Sequence, residues 1–440
     1  MTATTQTAAF FPQNKGELID LIKKDVPLES IDVTKITDMS YLFEDFTDRR
    51  SFAGVSAWDV SNVTNMKEMF AGCEFLNEDL SQWDVSNVTD MSSMFADCPF
   101  FNSPLNTWNL RNVEAMEHML EGCRDFNQPL DRWEFPKVRS LESLFLGCSV
   151  FNRPLDTWDV SRIENFSFMF ANCDQFAQSL ANWNTESATT MQQMFWECRH
   201  VDFPVNNWNM SKVTNIDSMF AGCQLFAQNV NSWDTSSLTN ASGAFRNCLF
   251  FNSELDHWDV SHVTDMSDLF NGCTAFNQDL SAWNVSNVTD MSSMFYGCIS
   301  FNQDLSSWNV ASVTDFDYMF FSCKDFNQPL ADWNIQSATT LSGMFSHCER
   351  FNHPLNAWDV SRVEDFSEMF SQCLALNQSF DGWHLETAEN VRSMFYECPR
   401  IDDRTIQSMQ YDTDRFEIDT FRGEDDDFDF DFDDDDEDEY

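Results

Sequence analysis

Apolar and polar positions repeat every 25 residues along most of this chain. In the stretch FNQDLSAWNVSNVTDMSSMFYGC, residues 276–298, the apolar set is Phe276, Leu280, Trp283, Val285, Val288, Met291, Met294, Phe295 and Cys298. Its tryptophan recurs at the same interval from Trp58 to Trp383. A fixed period of this length marks a solenoid, in which each repeat is one coil that cannot bury its apolar face until a neighbour stacks on it.

Two periodicities alternate within the coil. Around the tryptophan the pattern is LxxWxV, as in Leu80, Trp83 and Val85. Two positions apart, Trp83 and Val85 share one face of a strand, with Leu80 turning in from the preceding bend. Past the tryptophan the apolar positions change to Val88, Met91, Met94, Phe95 and Cys98, one face of a short helix, and Ser86, Thr89, Asp90 and Ser92 supply its polar start. A Phe-Asn pair, such as Phe101 and Asn102, marks the return bend. The pattern predicts an α/β repeat solenoid of about 15 coils, with a parallel sheet on the concave side and short helices on the convex side.

The ends depart from the period. Residues 1–27 read as an N-terminal cap, in which Asn14 and Glu17 form a capping box for the helix GELIDLIKK and place Leu18, Leu21 and Ile22 on one face. The solenoid spans 28–398 and opens on an irregular coil with Ile31 in the tryptophan position, 27 residues before Trp58. Ile401, Ile406 and Met409 are expected to close the far end within a second cap, 399–423. The last 17 residues, 424–440, carry 13 acids with Phe428, Phe430 and Phe432 interleaved, a composition that predicts a disordered acidic tail. Its candidate roles are a docking motif built on those aromatics, an export signal, or a device for solubility.

Charge narrows the partners. Lysine and arginine number 25 against 73 aspartate and glutamate, a net charge of −48, so nucleic acid and anionic membrane surfaces are expected to be repelled and basic proteins to be attracted. No stretch approaches 18 apolar residues, which predicts no membrane insertion. The first residues carry no basic start and no long apolar run, which favours a cytoplasmic location.

The chemistry-bearing residues point away from catalysis. All 14 cysteines occupy one column, one per coil from Cys73 to Cys398, with no CxxC pair, and read as small buried side chains in the reduced state. The histidines scatter over different columns, and no carboxylate pair stands apart as acid and base. No cofactor, metal or enzymatic activity is therefore expected. The column after the tryptophan is the candidate partner-binding surface: Asp59, Asp84, Asn109, Glu134, Asp159, Asn184, Asn209, Asp234, Asp259, Asn284, Asn309, Asn334 and Asp359, ending at His384. Strand alternation turns these residues outward, onto the concave face. Two coils depart locally, one with Ala241 and Ala244 in place of the methionines and one with Pro136 just past its strand.

LxxWxV has the spacing of the leucine-rich-repeat strand, and the MFxxC segment with its FN bend narrows the likeness. WNVSNVTDMSSMFYGCISFNQDL resembles the BspA-type leucine-rich repeat family of bacterial surface proteins, which includes mycoplasma-type lipoproteins, and NKGELIDLIKKDVPLESIDVTKITDMSYLF is similar to the way such arrays begin. The resemblance covers roughly residues 14–398. It implies a curved leucine-rich-repeat-like solenoid, a surface or interaction role and no catalysis, and it names no ligand. The expected function is a monomeric, non-enzymatic scaffold that binds basic proteins through its acidic and amide face. An adhesin or envelope protein at the cell surface, exported by a non-classical route, is one alternative, and a nucleic-acid mimic that sequesters basic proteins is another.

Overall fold

The computed structural model describes residues 9–46 and 49–423. The acidic tail, with Phe428, Phe430 and Phe432, lies outside the described residues. The repeats stack as a leucine-rich-repeat-like solenoid in which a residue of one coil meets the residue 25 positions on in the next. Single parallel bridges link Asn65 to Asp90 and Asp90 to Ala115, and the same column continues from Ser140 through Asn165 and onward to Asn390.

The helices and strands expected inside each coil are replaced by another solution. Among the described residues no helix occurs between Ala57 and Asp403. The segment from Met91 to Cys98 is a run of tight turns, with the Met94 amide bonded to the Met91 carbonyl at 3.1 Å and the Cys98 amide to the Phe95 carbonyl at 3.2 Å. The reason lies at Ser93 and Asp97, whose φ angles of 54° and 55° are left-handed. A left-handed residue every fourth position breaks a right-handed helix yet returns the chain to the same side. Met91, Met94, Phe95 and Cys98 therefore face inward at helix-like intervals without a helix. Alternate amides leave the coil instead: Met91, Ser93, Phe95 and Asp97 donate to the carbonyls of Ala115, Glu117, Met119 and Glu121, at 2.8–3.0 Å.

The parallel pairing also sits elsewhere than expected. It falls seven residues after each tryptophan rather than at the Trp-x-Val segment, which carries no named strand, although alternation survives there: Trp83 and Val85 are buried and Asp84 is exposed. Each tryptophan joins two coils. Trp283 Nε1 donates to the Leu255 carbonyl of the preceding coil at 2.9 Å, and its ring stacks on Trp258 at 6.3 Å and on Trp308 at 6.4 Å. The equivalent indole of Trp83 is buried with no acceptor among the described residues, where it follows the irregular first coils.

Polar ladders tie the outer turns together. Asn277 Oδ1 accepts the Asn302 amide at 3.0 Å, and Asn302 Oδ1 accepts the Asn327 amide at 2.9 Å. The hydroxyls of Thr264, Thr289 and Thr314 each donate to the carbonyl of the threonine one coil back. The cysteines are all free and buried. Cys298 Sγ donates to the Phe270 carbonyl at 3.0 Å, and the same bond recurs from Cys98 to Cys398. Burial pushes the thiols up, to about 12 for Cys73 and Cys398 at the two ends.

The ends are covered by different means. Helix α1, Lys15–Lys23, buries Leu18 and Ile22 and leaves Leu21 half-buried. Asn14 Oδ1 accepts the Glu17 amide at 3.0 Å, while Glu17 reaches back to the Gln13 amide at 2.8 Å. At the other end α2, Asp403–Ser408, and α3, Ile418–Arg422, accompany the buried Ile401, Ile406, Met409 and Phe421. Gln410 pairs in parallel with His384, so the chain that follows continues the backbone pairing past the last coil while the His384 side chain stays exposed.

Candidate functional site

The column after the tryptophans is exposed at all thirteen positions and at His384. Its side chains also have a structural task that sequence alone did not disclose. Asp84 Oδ1 accepts the Ser86 amide at 3.0 Å, Asp159 Oδ1 the Ser161 amide at 3.1 Å and Asn284 Oδ1 the Ser286 amide at 3.2 Å. Asp59, Asn109, Asn184, Asn209, Asp234, Asp259, Asn309, Asn334 and Asp359 hold the amide two residues ahead in the same way. Aspartate and asparagine are interchangeable here because both present an oxygen at the reach that this turn requires.

The bond also fixes the charge state. The Ser86 hydroxyl and amide hold the Asp84 carboxyl below its ordinary value, and the corresponding serines do the same at Asp159, Asp259 and Asp359. One oxygen of each carboxylate closes the turn and the other faces solvent. The face is thus a row of oriented oxygen acceptors, some charged and some neutral, one per coil.

Glu134 breaks the row. Two residues ahead stands Pro136, which has no amide to donate, and the glutamate is one methylene longer than the aspartates. Its carboxylate turns to Arg111 of the preceding coil and forms an ion pair in which both side chains are about two-thirds exposed. Beside this pair lie two adjoining hollows that share Arg111 and Glu134, of about 270 and 340 Å³. The first is backed by Trp133, Phe135, Val138 and Ile163 and edged by Asp159 and Arg162. The second is lined by Asn106, Thr107, Trp108, Asn109, Leu110 and Arg132. Pro136 therefore sits at a real notch. In the Ala241 and Ala244 coil both alanines are buried, and the Phe220–Phe245 and Phe245–Phe270 stacks continue through it at 6.1 Å.

Sequence reasoning passed over Arg111, Arg132 and Arg162. The available signal was their concentration: with Arg124, Lys137, Arg139 and Arg153 they place seven of the chain's 25 basic residues between 111 and 162. Among the described residues there is no group of three or more His, Cys, Asp or Glu arranged to hold a metal ion. No helix among them is long and apolar enough to cross a membrane.

Comparison with known proteins places the chain among repeat proteins. No curated protein matches it. Solved structures similar to it include a leucine-rich repeat protein from Bacteroides ovatus, 11% identical over 66% of this chain and 69% of that one, with a TM-score of 0.36. A leucine rich cell surface protein from Faecalibacterium prausnitzii is 12% identical over 66% of this chain and 87% of that one, with a TM-score of 0.26. A chain of the Toll–Spatzle complex from Drosophila is 13% identical over 82% of this chain and 51% of that one, with a TM-score of 0.21. The sequence pattern of one family matches four times, over residues 11–133, 139–256, 239–341 and 299–409, and so covers nearly the whole solenoid. The chain belongs to this family, described as Mycoplasma protein of unknown function, DUF285.

Proposed function

We propose that the chain is a non-enzymatic repeat scaffold that binds protein partners along the exposed column beside its tryptophans. One observation carries this reading: at every position of the column but Glu134 an oriented carboxylate or amide oxygen is held in place by its own turn and is therefore ordered before any partner arrives. Pre-ordered groups lose little freedom on binding, which favours their use as a recognition surface. The charge of −48 selects a basic partner and accelerates its approach.

The test is affinity capture from the source cells with the intact chain and with a variant carrying Asp84→Asn, Asp159→Asn, Asp234→Asn, Asp259→Asn and Asp359→Asn. Asparagine keeps the turn oxygen and removes only charge. Capture of basic proteins is expected to fall several-fold with the fold unchanged, whereas equal capture contradicts the reading. A cell-surface setting is the second reading, and the motif resemblance to bacterial surface proteins favours it. Protease treatment of intact cells distinguishes the compartments, since cleavage of the chain requires that it be exposed outside.

A further inference from the structure

The hollows around Arg111 and Glu134 have a polarity opposite to that of the rest of the face. We propose that they form an anchor site for an acidic peptide segment, in which an apolar side chain enters the first hollow and the carboxylates on either side of it meet Arg162 and Arg132, one each. This extends the scaffold reading to a second ligand chemistry, and the arginines it stands on take no part in that reading.

Three observations converge there. The repeat fails at several positions together: Arg111 replaces the usual serine, Glu134 the aspartate, Phe135 the valine and Pro136 the serine. Random drift scatters substitutions, but these four change one local geometry. The proline removes the amide that a column residue ordinarily holds, which releases Glu134 to draw Arg111 across the mouth of both hollows.

The guanidiniums are placed for an incoming anion. Arg111 spends itself on Glu134, but Arg132 and Arg162 make no side-chain hydrogen bond or ion pair among the described residues, and they stand at opposite sides of the shared pair. Asp159, the remaining carboxylate, already holds Ser161 through both amide and hydroxyl, at 3.1 and 2.7 Å. Arg162 acts on Asp159 through its charge alone, so both guanidiniums keep their donors for an incoming carboxylate, which such groups bind in a forked geometry.

Size and chemistry then define the ligand. The two hollows lie on either side of the lower end of the range for small-molecule sites, roughly 300 Å³, which suits one side chain each and not a large cofactor. The first is walled mainly by apolar side chains, and the second sets Trp108 and Leu110 among polar ones, which suits neighbouring residues of unlike character on an extended peptide. The acidic field of the whole chain opposes such a ligand, but at physiological salt it decays over about 8 Å, so the adjacent arginines dominate contact. In a partner that is otherwise basic, one acidic-apolar segment of this kind would fix the register in which it lies along the coils.

The probe is a fluorescent peptide of about six residues with alternating Asp and Phe, titrated into the full chain and followed by anisotropy. Controls are peptides with Asn or Lys in place of Asp. The intact chain is expected to bind the Asp peptide at least tenfold more tightly than either control. Arg132→Glu with Arg162→Glu is expected to abolish that preference while circular dichroism and the unfolding midpoint stay unchanged. Should the double variant misfold, Arg132→Gln with Arg162→Gln replaces it. A chain that ignores the Asp peptide, or prefers the Asn or Lys peptide, overturns the inference, as does an arginine variant that keeps the preference. Because the column aspartates are untouched in these variants, failure here leaves the capture test above to stand or fall separately.

Discussion

The coils built on Trp258, Trp283, Trp308 and Trp333 and those built on Trp108, Trp133 and Trp158 share one backbone plan but differ in what their surfaces hold back. In the first group every column residue closes its own turn, and the indoles stack at 6.3–6.5 Å without interruption. In the second group one turn is left unclosed, and an ion pair and two hollows take its place. Regularity therefore speaks about stability. Chemistry that could distinguish one ligand from another accumulates where the repeat is broken.

The sharpest way to break the comparison is to damage the regular part. Trp283→Ala removes two ring stacks and the indole bond to the Leu255 carbonyl, and large-to-small changes in a core cost roughly 3–5 kcal/mol. Because coils support only their neighbours, denaturant unfolding is expected to separate into two phases around that coil. Removing the indole bond alone should cost less. Trp83, whose indole has no acceptor, offers the internal control: Trp83→Phe is expected to be milder than Trp283→Phe in the same measurement.

Next in size is the repair of the broken coil. Glu134→Asp with Pro136→Ser restores the side chain and the amide that the turn requires, and one regained hydrogen bond stabilises by about 1 kcal/mol. The expected outcome is a higher unfolding midpoint together with a smaller first hollow and weaker binding of the Asp-Phe peptide. A site of this kind trades stability for access.

A pH effect separates the two kinds of carboxylate. Burial raises Asp317 to about 6, while the Thr340 hydroxyl and the Ser342 amide, at 2.8 Å, pull the other way. Its protonated form is favoured by folding, so its contribution is complete below the ordinary carboxylate value and is lost as pH rises through about 6. Asp317→Asn is expected to raise the unfolding midpoint at pH 7–8 and to leave it nearly unchanged at pH 4, as read by thermal melts. Asp84 and Asp359, held low by their serines, have the opposite sign: their contribution is present above the ordinary value and lost as pH falls through their lowered values.

The smallest expected effect is on the column itself. Asp84→Asn keeps the turn and should change stability by a few tenths of a kcal/mol, whereas Asp84→Ala loses the acceptor and costs about 1 kcal/mol. The difference between the two variants measures the turn apart from the charge.

Much of this architecture was legible in the residues. The period, the buried set from Phe276 to Cys298 and the helix at Asn14 all follow from spacing and capping chemistry. The wrong element inside the coil has an identifiable cause: Val88, Met91, Met94, Phe95 and Cys98 satisfy helical spacing, and a run of turns returns to the core at nearly the same interval. The contrary signal was the residue before eight of the fourteen cysteines, glycine at 72, 122, 147, 222, 272 and 297 and asparagine at 172 and 247, types that adopt left-handed φ most easily. At Gly272 the φ is 74°, and a Cβ would collide with Asn247 Oδ1. The outward column was legible from alternation, but its bond to the serine amide depends on backbone conformation two residues on. The arginines were hidden because they occupy three different columns and come to line adjoining hollows only when the coils stack.

The most direct measurement of the central claim, that peptide selectivity resides in the departure from the repeat while general capture runs along the regular column, is a coil exchange. Residues 103–177 are replaced by the regular coils 253–327, which keeps every tryptophan in register. The exchanged chain is expected to unfold at a higher midpoint and to lose its preference for the Asp-Phe peptide. Retention of that preference by the exchanged chain would contradict the account.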